Sequence, residues 1–216
     1  MTKLKVIQNS NLPEWLENQL KTNFDVFPLW SEKDPEAFLV KHGAEYEAVV
    51  SRAAVGVSEA LIQKLPSLKV ISSFGVGYDK VAVDVAKSRG IQVGYTPNVL
   101  NDCVADIAFG LLIDVARQIS AADRYSRVGQ WLKGPYPMTT RVSGKKLGIL
   151  GLGRIGQVIA KRASGFDMEI RYHNRKQNSE VPYQYEPSLI ELAKWCDFLV
   201  VASAGGEETT NLVSTE

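Results

Sequence analysis

"KKLGILGLGRIGQVIAKRA" occupies residues 145–163, and its two halves have different periods. The first half is a short apolar run of strand type. The second repeats its apolar positions at helical spacing. Between them lies Gly151-Leu152-Gly153-Arg154-Ile155-Gly156, a G-x-G-x-x-G turn. Glycines at this spacing occur in loops by chance, but a strand before and a helix after give the pattern meaning. Gly151 permits the tight turn, Gly153 lets the backbone approach a pyrophosphate, and Gly156 allows the helix to pack closely on the strand. The helix N-terminus then offers free N–H groups and a partial positive charge to phosphates. The competing reading is a strand-to-helix turn with no ligand.

The strand that follows ends in "RYHNRK", residues 171–176. In a dinucleotide fold an acidic residue at this place accepts from the ribose 2′-hydroxyl of NAD, about 20 residues after the first glycine. Here the position holds Asn174, followed by Arg175 and Lys176. An amide removes the repulsion toward a 2′-phosphate, and the two cations attract it. Each charge-assisted contact contributes about 1.5–3 kcal/mol. Two of them favour NADP over NAD on the order of a hundredfold. The expected cofactor is therefore NADP (NADPH). The alternative is that Arg175 and Lys176 are solvated loop charges.

Upstream, strand-type runs alternate with helical ones. "KLKVIQ", "FDVFPL", "YEAVVSR", "LKVISSF" and "IQVGYT" are strand candidates. "PEWLENQL", "DPEAFLVKHG", "SEALIQKL" and "VAVDVAKSRG" are helical. Such alternation predicts an α/β fold with a parallel sheet covered on both faces, and residues 1–97 form the first domain. After "TPN" (96–98) one long helix is expected from about Asn101 to Val128. Val104, Ile107, Ala108, Leu111, Val115 and Ile119 give it an apolar face, with acids early and arginines late. "GQWLKGPYPMTTRVSG" (129–144) is an irregular arm. Residues 98–216 make up the second domain, with three strands and two helices expected after residue 144.

With 216 residues, 45% hydrophobic, 23% charged and a formal net charge of +1, the composition is that of an ordinary soluble domain pair. It gives no reason to expect a nucleic-acid or membrane partner, and no run is long enough to span a bilayer. Cys103 and Cys196 lie far apart in expected helices, which fits reduced thiols and a cytoplasmic location. No metal site is expected.

A further glycine-containing turn, "SSFGVGYDK" (72–80), follows the fourth strand. Backbone N–H groups at such a strand end can hold a carboxylate. Together "SSFGVGYDKVAVDVAKSRGIQV", "TPNVLNDCVADIAFGLLIDVAR", "GKKLGILGLGRIGQVIAKRA" and "DFLVVAS…EETTNLVS" resemble the D-isomer-specific 2-hydroxyacid dehydrogenases, and within them the glyoxylate/hydroxypyruvate reductases. The resemblance covers nearly the whole chain. It implies a flavodoxin-like substrate domain joined to a Rossmann domain, an active site in the cleft between them, and reduction of a small 2-keto acid by hydride from nicotinamide.

By that resemblance, Val76 and Gly77 hold the substrate carboxylate, Val104 lies near the nicotinamide, and Ser203, Ala204 and Thr209 flank the cofactor. The helix from Asn101 and the arm through Trp131 (about 101–142) form the interface of a homodimer. Two departures stand out. Relatives commonly carry a Cys-Pro-Leu-Thr type sequence where this chain has Ser203-Ala204-Gly205-Gly206, a change that loosens the loop. The family's Arg, Glu and His, which polarise the carbonyl and deliver the proton, fall beyond residue 216.

Of the two histidines here, His42 sits at an expected helix end and His173 at the adenosine edge. No catalytic residue is therefore assigned. The chain is expected to be an N-terminal portion of a longer enzyme and inactive as written. Two alternatives remain open: an NAD-dependent dehydrogenase of the phosphoglycerate or D-lactate type, and a non-catalytic dinucleotide-sensing corepressor of the same fold.

Overall fold

Residues 3–214 are described by a computed structural model. The chain divides into two units, Met1–Val99 and Leu100–Glu216.

In the first unit, five runs rich in Val and Ile form the strands β1 (Lys5–Gln8), β2 (Asp25–Pro28), β3 (Ala48–Arg52), β4 (Val70–Phe74) and β5 (Gln92–Gly94). All pair in parallel, in the order β2-β1-β3-β4-β5. This is the flavodoxin-like order, with the chain reversing direction across the sheet between β1 and β3. Alternate residues point to opposite faces, so each strand serves two cores. Ile7, Val49 and Ile71 enter one core with Leu39, Leu61, Ile62 and Ala86. Those partners come from α2 (Pro35–His42), α3 (Glu59–Gln63) and α4 (Val83–Ser88). Val6 and Val50 face the other way, against Leu12 and against Leu16 and Leu20 of α1 (Glu14–Asn23). Asp34 and Ser58 cap α2 and α3 by accepting from Ala37 and Leu61 N–H, which satisfies donors a helix start leaves free.

The second unit begins with helices α5 (Asn101–Arg117) and α6 (Ile119–Arg127). The single long helix expected over 101–128 is thus two. Gln118 interrupts it in the left-handed region, at φ 53° and ψ 40°. Asp114 then accepts from both the backbone N–H and the hydroxyl of Ser120, each at 2.7 Å. An acid assigned by sequence to dipole complementarity instead supports the start of the next helix. The arm folds back on the same pair: Tyr136 donates to the Gln118 side-chain oxygen, and Arg117 to Thr139.

The apolar spacing of α5 also has a second face. Ala105, Phe109, Leu112 and Ala116 are its buried residues, packed on Leu147, Ile159, Ala160 and Ala163. Ile107, Leu111 and Val115, of the stripe read from sequence, are 61%, 57% and 74% exposed.

Strands β6 (Lys146–Leu150), β7 (Glu169–His173), β8 (Gln184–Tyr185) and β9 (Phe198–Val201) pair in parallel as β8-β7-β6-β9. Helices α7 (Arg154–Ser164) and α8 (Leu189–Trp195) connect them. Among the described residues four strands follow residue 144, not three. The two-residue β8 is too short for a periodic signal, and its pairing of Arg171 with Gln184 and Tyr172 with Tyr185 is a tertiary event. Cys196 lies just past α8 rather than within it. Both cysteines are free thiols. The arrangement is the parallel, helix-covered sheet of a Rossmann unit. No helix among the described residues is long and apolar enough to cross a membrane.

Candidate functional site

The glycine turn Gly151–Gly156, Asn174–Lys176 and Ser203–Ala204 follow the carboxyl ends of β6, β7 and β9, three strands adjacent in the order β7-β6-β9. Gly151 follows β6 with φ +97°, and a side-chain carbon there would lie 2.6 Å from the backbone nitrogen of Ser203. Only glycine permits both the turn and the approach to the β9 chain. A carbon on Gly156 would sit 2.3 Å from the Gly151 carbonyl oxygen, so that glycine lets α7 close on the turn. Gly153 differs, since nothing lies within 4 Å of the corresponding point. Its exposed backbone opens onto free space at the start of α7, where no side chain caps the helix. Free N–H groups beside an open glycine are what a pyrophosphate needs, so the turn fits a dinucleotide. Leu152 and Ile155 face inward, the first 1% exposed, while Arg154 is exposed.

Asn174, one residue past β7, accepts a hydrogen bond from Leu152 N–H at 2.7 Å. The carbonyl of the same residue accepts from the Tyr185 hydroxyl at 3.0 Å. The amide is therefore tied to the glycine turn on one side and to β8 on the other. Arg175 is exposed and ion-paired with Glu208. Lys176 is exposed and makes no ion pair among the described residues. Glu208 belongs to the turn Glu207–Thr209. Nothing in the sequence singled it out, because the pairing spans 33 positions.

Beyond β9, Ser203 is half-buried and Ala204 exposed. The Thr209 hydroxyl donates to the carbonyl of Ala204 at 2.8 Å and also lies 3.1 Å from that of Gly206. The loop that sequence describes as loosened is thus closed by a local threonine bond. Val104 lies on α5, 38% exposed and outside the core.

In the first unit, Val76 and Gly77 lie in the turn after β4, half-buried. Gly75 precedes them at φ +144°, and a side-chain carbon there would meet Ala53 at 2.5 Å. The turn is thereby pressed against the chain leaving β3. The two histidines make local contacts. His42 Nδ1 lies 2.8 Å from Glu45 and its ring packs against Phe38. His173 Nδ1 lies 2.9 Å from the carbonyl of Glu186. Arg52, not selected by sequence, closes β3 beside Phe74.

Comparison with known proteins agrees with this architecture. Residues 109–216 match the family model for the NAD-binding domain of D-isomer-specific 2-hydroxyacid dehydrogenases. The chain is 39% identical over its full length to glyoxylate/hydroxypyruvate reductase A of Arabidopsis thaliana, of which it covers 69%. Among solved structures, the 2-hydroxyacid dehydrogenase of Ketogulonicigenium vulgare superposes with a TM-score of 0.89 at 38% identity, over 95% of this chain and 65% of that one. The NADPH-dependent glyoxylate/hydroxypyruvate reductase of Sinorhizobium meliloti, in complex with NADP and malonate, gives 0.82 at 29% identity, over 96% and 65%. The chain thus spans about two thirds of the length of the relatives it matches. It belongs to the D-isomer-specific 2-hydroxyacid dehydrogenase family.

Proposed function

We propose that the protein serves an NADPH-dependent reductase that converts a small 2-keto acid, glyoxylate or hydroxypyruvate, to the 2-hydroxy acid. The observation that carries the cofactor choice is the end of β7. A glycine-rich turn fit for a pyrophosphate is followed there by an amide and two exposed cations, with no carboxylate on that strand end. The Sinorhizobium neighbour, with NADP bound, supports the same choice.

NADPH, when bound, supplies the hydride. The residues of this chain do the holding. Gly151, Leu152, Gly153, Arg154, Ile155 and Gly156 form the turn that receives the pyrophosphate. Asn174 keeps that turn in place, Arg175 and Lys176 take the 2′-phosphate, and Ser203, Ala204 and Thr209 line the cofactor's flank. Val104 stands near the nicotinamide. The backbone of Val76 and Gly77 orients the keto acid through its carboxylate. The exposed apolar stripe of α5, together with Trp131 of the arm, pairs two copies into a homodimer.

The test follows NADPH and NADH oxidation with hydroxypyruvate and glyoxylate, using the protein at its natural length. A preference of about a hundredfold for NADPH, abolished by Arg175→Asp, is expected from two charge-assisted contacts. Equal rates with both cofactors would reduce Arg175 and Lys176 to surface charges. Tight cofactor binding without turnover of either keto acid would overturn the substrate reading and favour the sensing role.

A further inference from the structure

Tyr172 and Tyr185 are register partners on β7 and β8. Their side chains therefore lie on one face of the sheet, with ring centroids 5.4 Å apart. Tyr172 is 0% exposed and part of the core of the second unit. A phenylalanine would fill that space with no polar atom to satisfy. A buried phenol oxygen is tolerated only when hydrogen-bonded, and here both bonds go to a single loop residue. The Tyr172 hydroxyl donates to the carbonyl of Asn178 at 3.0 Å and accepts from its N–H at 2.9 Å. One side chain thus satisfies both backbone groups of Asn178.

The second tyrosine holds the other end of the same loop. The Tyr185 hydroxyl donates to the carbonyl of Asn174 at 3.0 Å, and the Asn174 side chain accepts from Leu152 N–H. Asn178 is fixed further, since its side-chain oxygen accepts from Glu180 N–H at 3.0 Å. Between the two anchored asparagines lie Arg175, Lys176 and Gln177, all exposed. Segment 174–178 is therefore a short cationic bridge tied to the sheet at both ends by phenol hydroxyls.

A ligand that must order a mobile loop gives up part of its binding free energy to do so. With the backbone already fixed, only the Arg175 and Lys176 side chains lose freedom when they engage an anion. The hydroxyl of Tyr172 reaches the loop and not the glycine-rich turn, so its effect belongs to whatever the loop binds.

We infer that Tyr172 is a positioning residue for cofactor choice. It holds residues 174–178 so that Arg175 and Lys176 meet a ribose 2′-phosphate without first ordering the chain. This rests on the NADPH reading above and deepens it, from the side chains that take the phosphate to the one that sets them in place.

The test is calorimetric titration of the protein at its natural length with NADPH and with NADH. Tyr172→Phe is expected to weaken NADPH about five- to tenfold and to leave NADH within twofold. With hydroxypyruvate, the loss should appear in KM for NADPH and not in kcat. A merely structural role would weaken both cofactors alike, and that result overturns the inference. The same substitution is then made on top of Arg175→Ala with Lys176→Ala. A residue acting through those two cations has nothing left to do there, so no further loss of NADPH affinity is expected. An undiminished further loss also overturns the inference.

Amide hydrogen exchange gives a readout that needs no cofactor. Exchange at Asn178 N–H should be at least tenfold faster in Tyr172→Phe, and unchanged protection counts against the proposal. Should Tyr172→Phe not fold, Tyr185→Phe tests the clamp from the Asn174 end. A larger loss for NADPH than for NADH is expected there, and equal losses overturn the inference. A parent protein that binds both cofactors alike rejects the NADPH reading and the inference together. A parent that prefers NADPH, with that preference intact in Tyr172→Phe, rejects the inference alone.

Discussion

Asn174 accepts a 2.7 Å hydrogen bond from the backbone N–H of Leu152, so the residue proposed to meet the ribose also braces the glycine-rich turn. These two duties separate by substitution. Asn174→Asp keeps the acceptor and restores a carboxylate beside the ribose, and should move preference toward NADH by at least tenfold in kcat/KM. Asn174→Ala removes the acceptor and leaves a partly buried N–H unpaired, which costs about 1–3 kcal/mol. It should weaken both cofactors and lower the unfolding midpoint. Kinetics with each cofactor, alongside thermal unfolding, distinguishes the two outcomes.

Arg175 is paired with Glu208 rather than free, so under the proposed NADPH reading a 2′-phosphate displaces a carboxylate to reach it. Glu208→Gln removes the competitor. Tighter NADPH binding is expected, by about two- to fivefold for an exposed pair worth less than about 1 kcal/mol, with NADH unchanged. Calorimetric titration with each cofactor measures this directly, and the effect should shrink with added salt.

Gly153 and Gly156 share a motif but not a reason. Gly156→Ala places a carbon 2.3 Å from the Gly151 carbonyl, and should destabilise the fold by about 1–3 kcal/mol as overpacked sites do. Gly153→Ala meets nothing within 4 Å. It should leave the unfolding midpoint within about 1 °C while weakening dinucleotide binding at least tenfold. Equal destabilisation by both would contradict the division of roles.

Glu45 is held at about 2, against an ordinary 4.5, because Lys5 donates to its carboxylate and His42 adds a second contact. A carboxyl whose folded value is depressed stabilises the fold above the unfolded value and loses that contribution as the pH falls toward the folded one. Glu45→Gln should therefore lower the urea midpoint at pH 6. The difference from the parent should narrow between about pH 4.5 and pH 2.

Ile107 and Leu111 lie on the exposed stripe of α5. Replacing both with glutamate should convert a dimer to a monomer in light scattering and leave the far-ultraviolet circular dichroism unchanged, since the buried face is Ala105, Phe109, Leu112 and Ala116. Loss of folding together with the dimer would indicate that the stripe is internal.

The five strand runs of residues 3–96 and the turn Gly151–Gly156 could be read without coordinates. Each depends on a short-range pattern: alternating or continuous apolar runs, caps, and glycines at fixed spacing. Period alone also identified a real apolar stripe on α5, but could not tell a core face from an exposed one. Both faces are apolar, and burial depends on which of them meets α7.

What lay beyond the sequence depends on atoms brought together from distant positions. The break at Gln118 takes its support from Asp114 and from Tyr136. The strand β8 exists only through its pairing with β7. The bond of Asn174 to Leu152 and the capture of Arg175 by Glu208 are likewise consequences of packing. The sequence by itself determined two parallel α/β units and a dinucleotide turn, because local periodicity and backbone sterics dictate them. Only the tertiary structure decided which polar groups are already satisfied and which remain for a ligand, because pairing across a sheet is set by distance in space rather than along the chain.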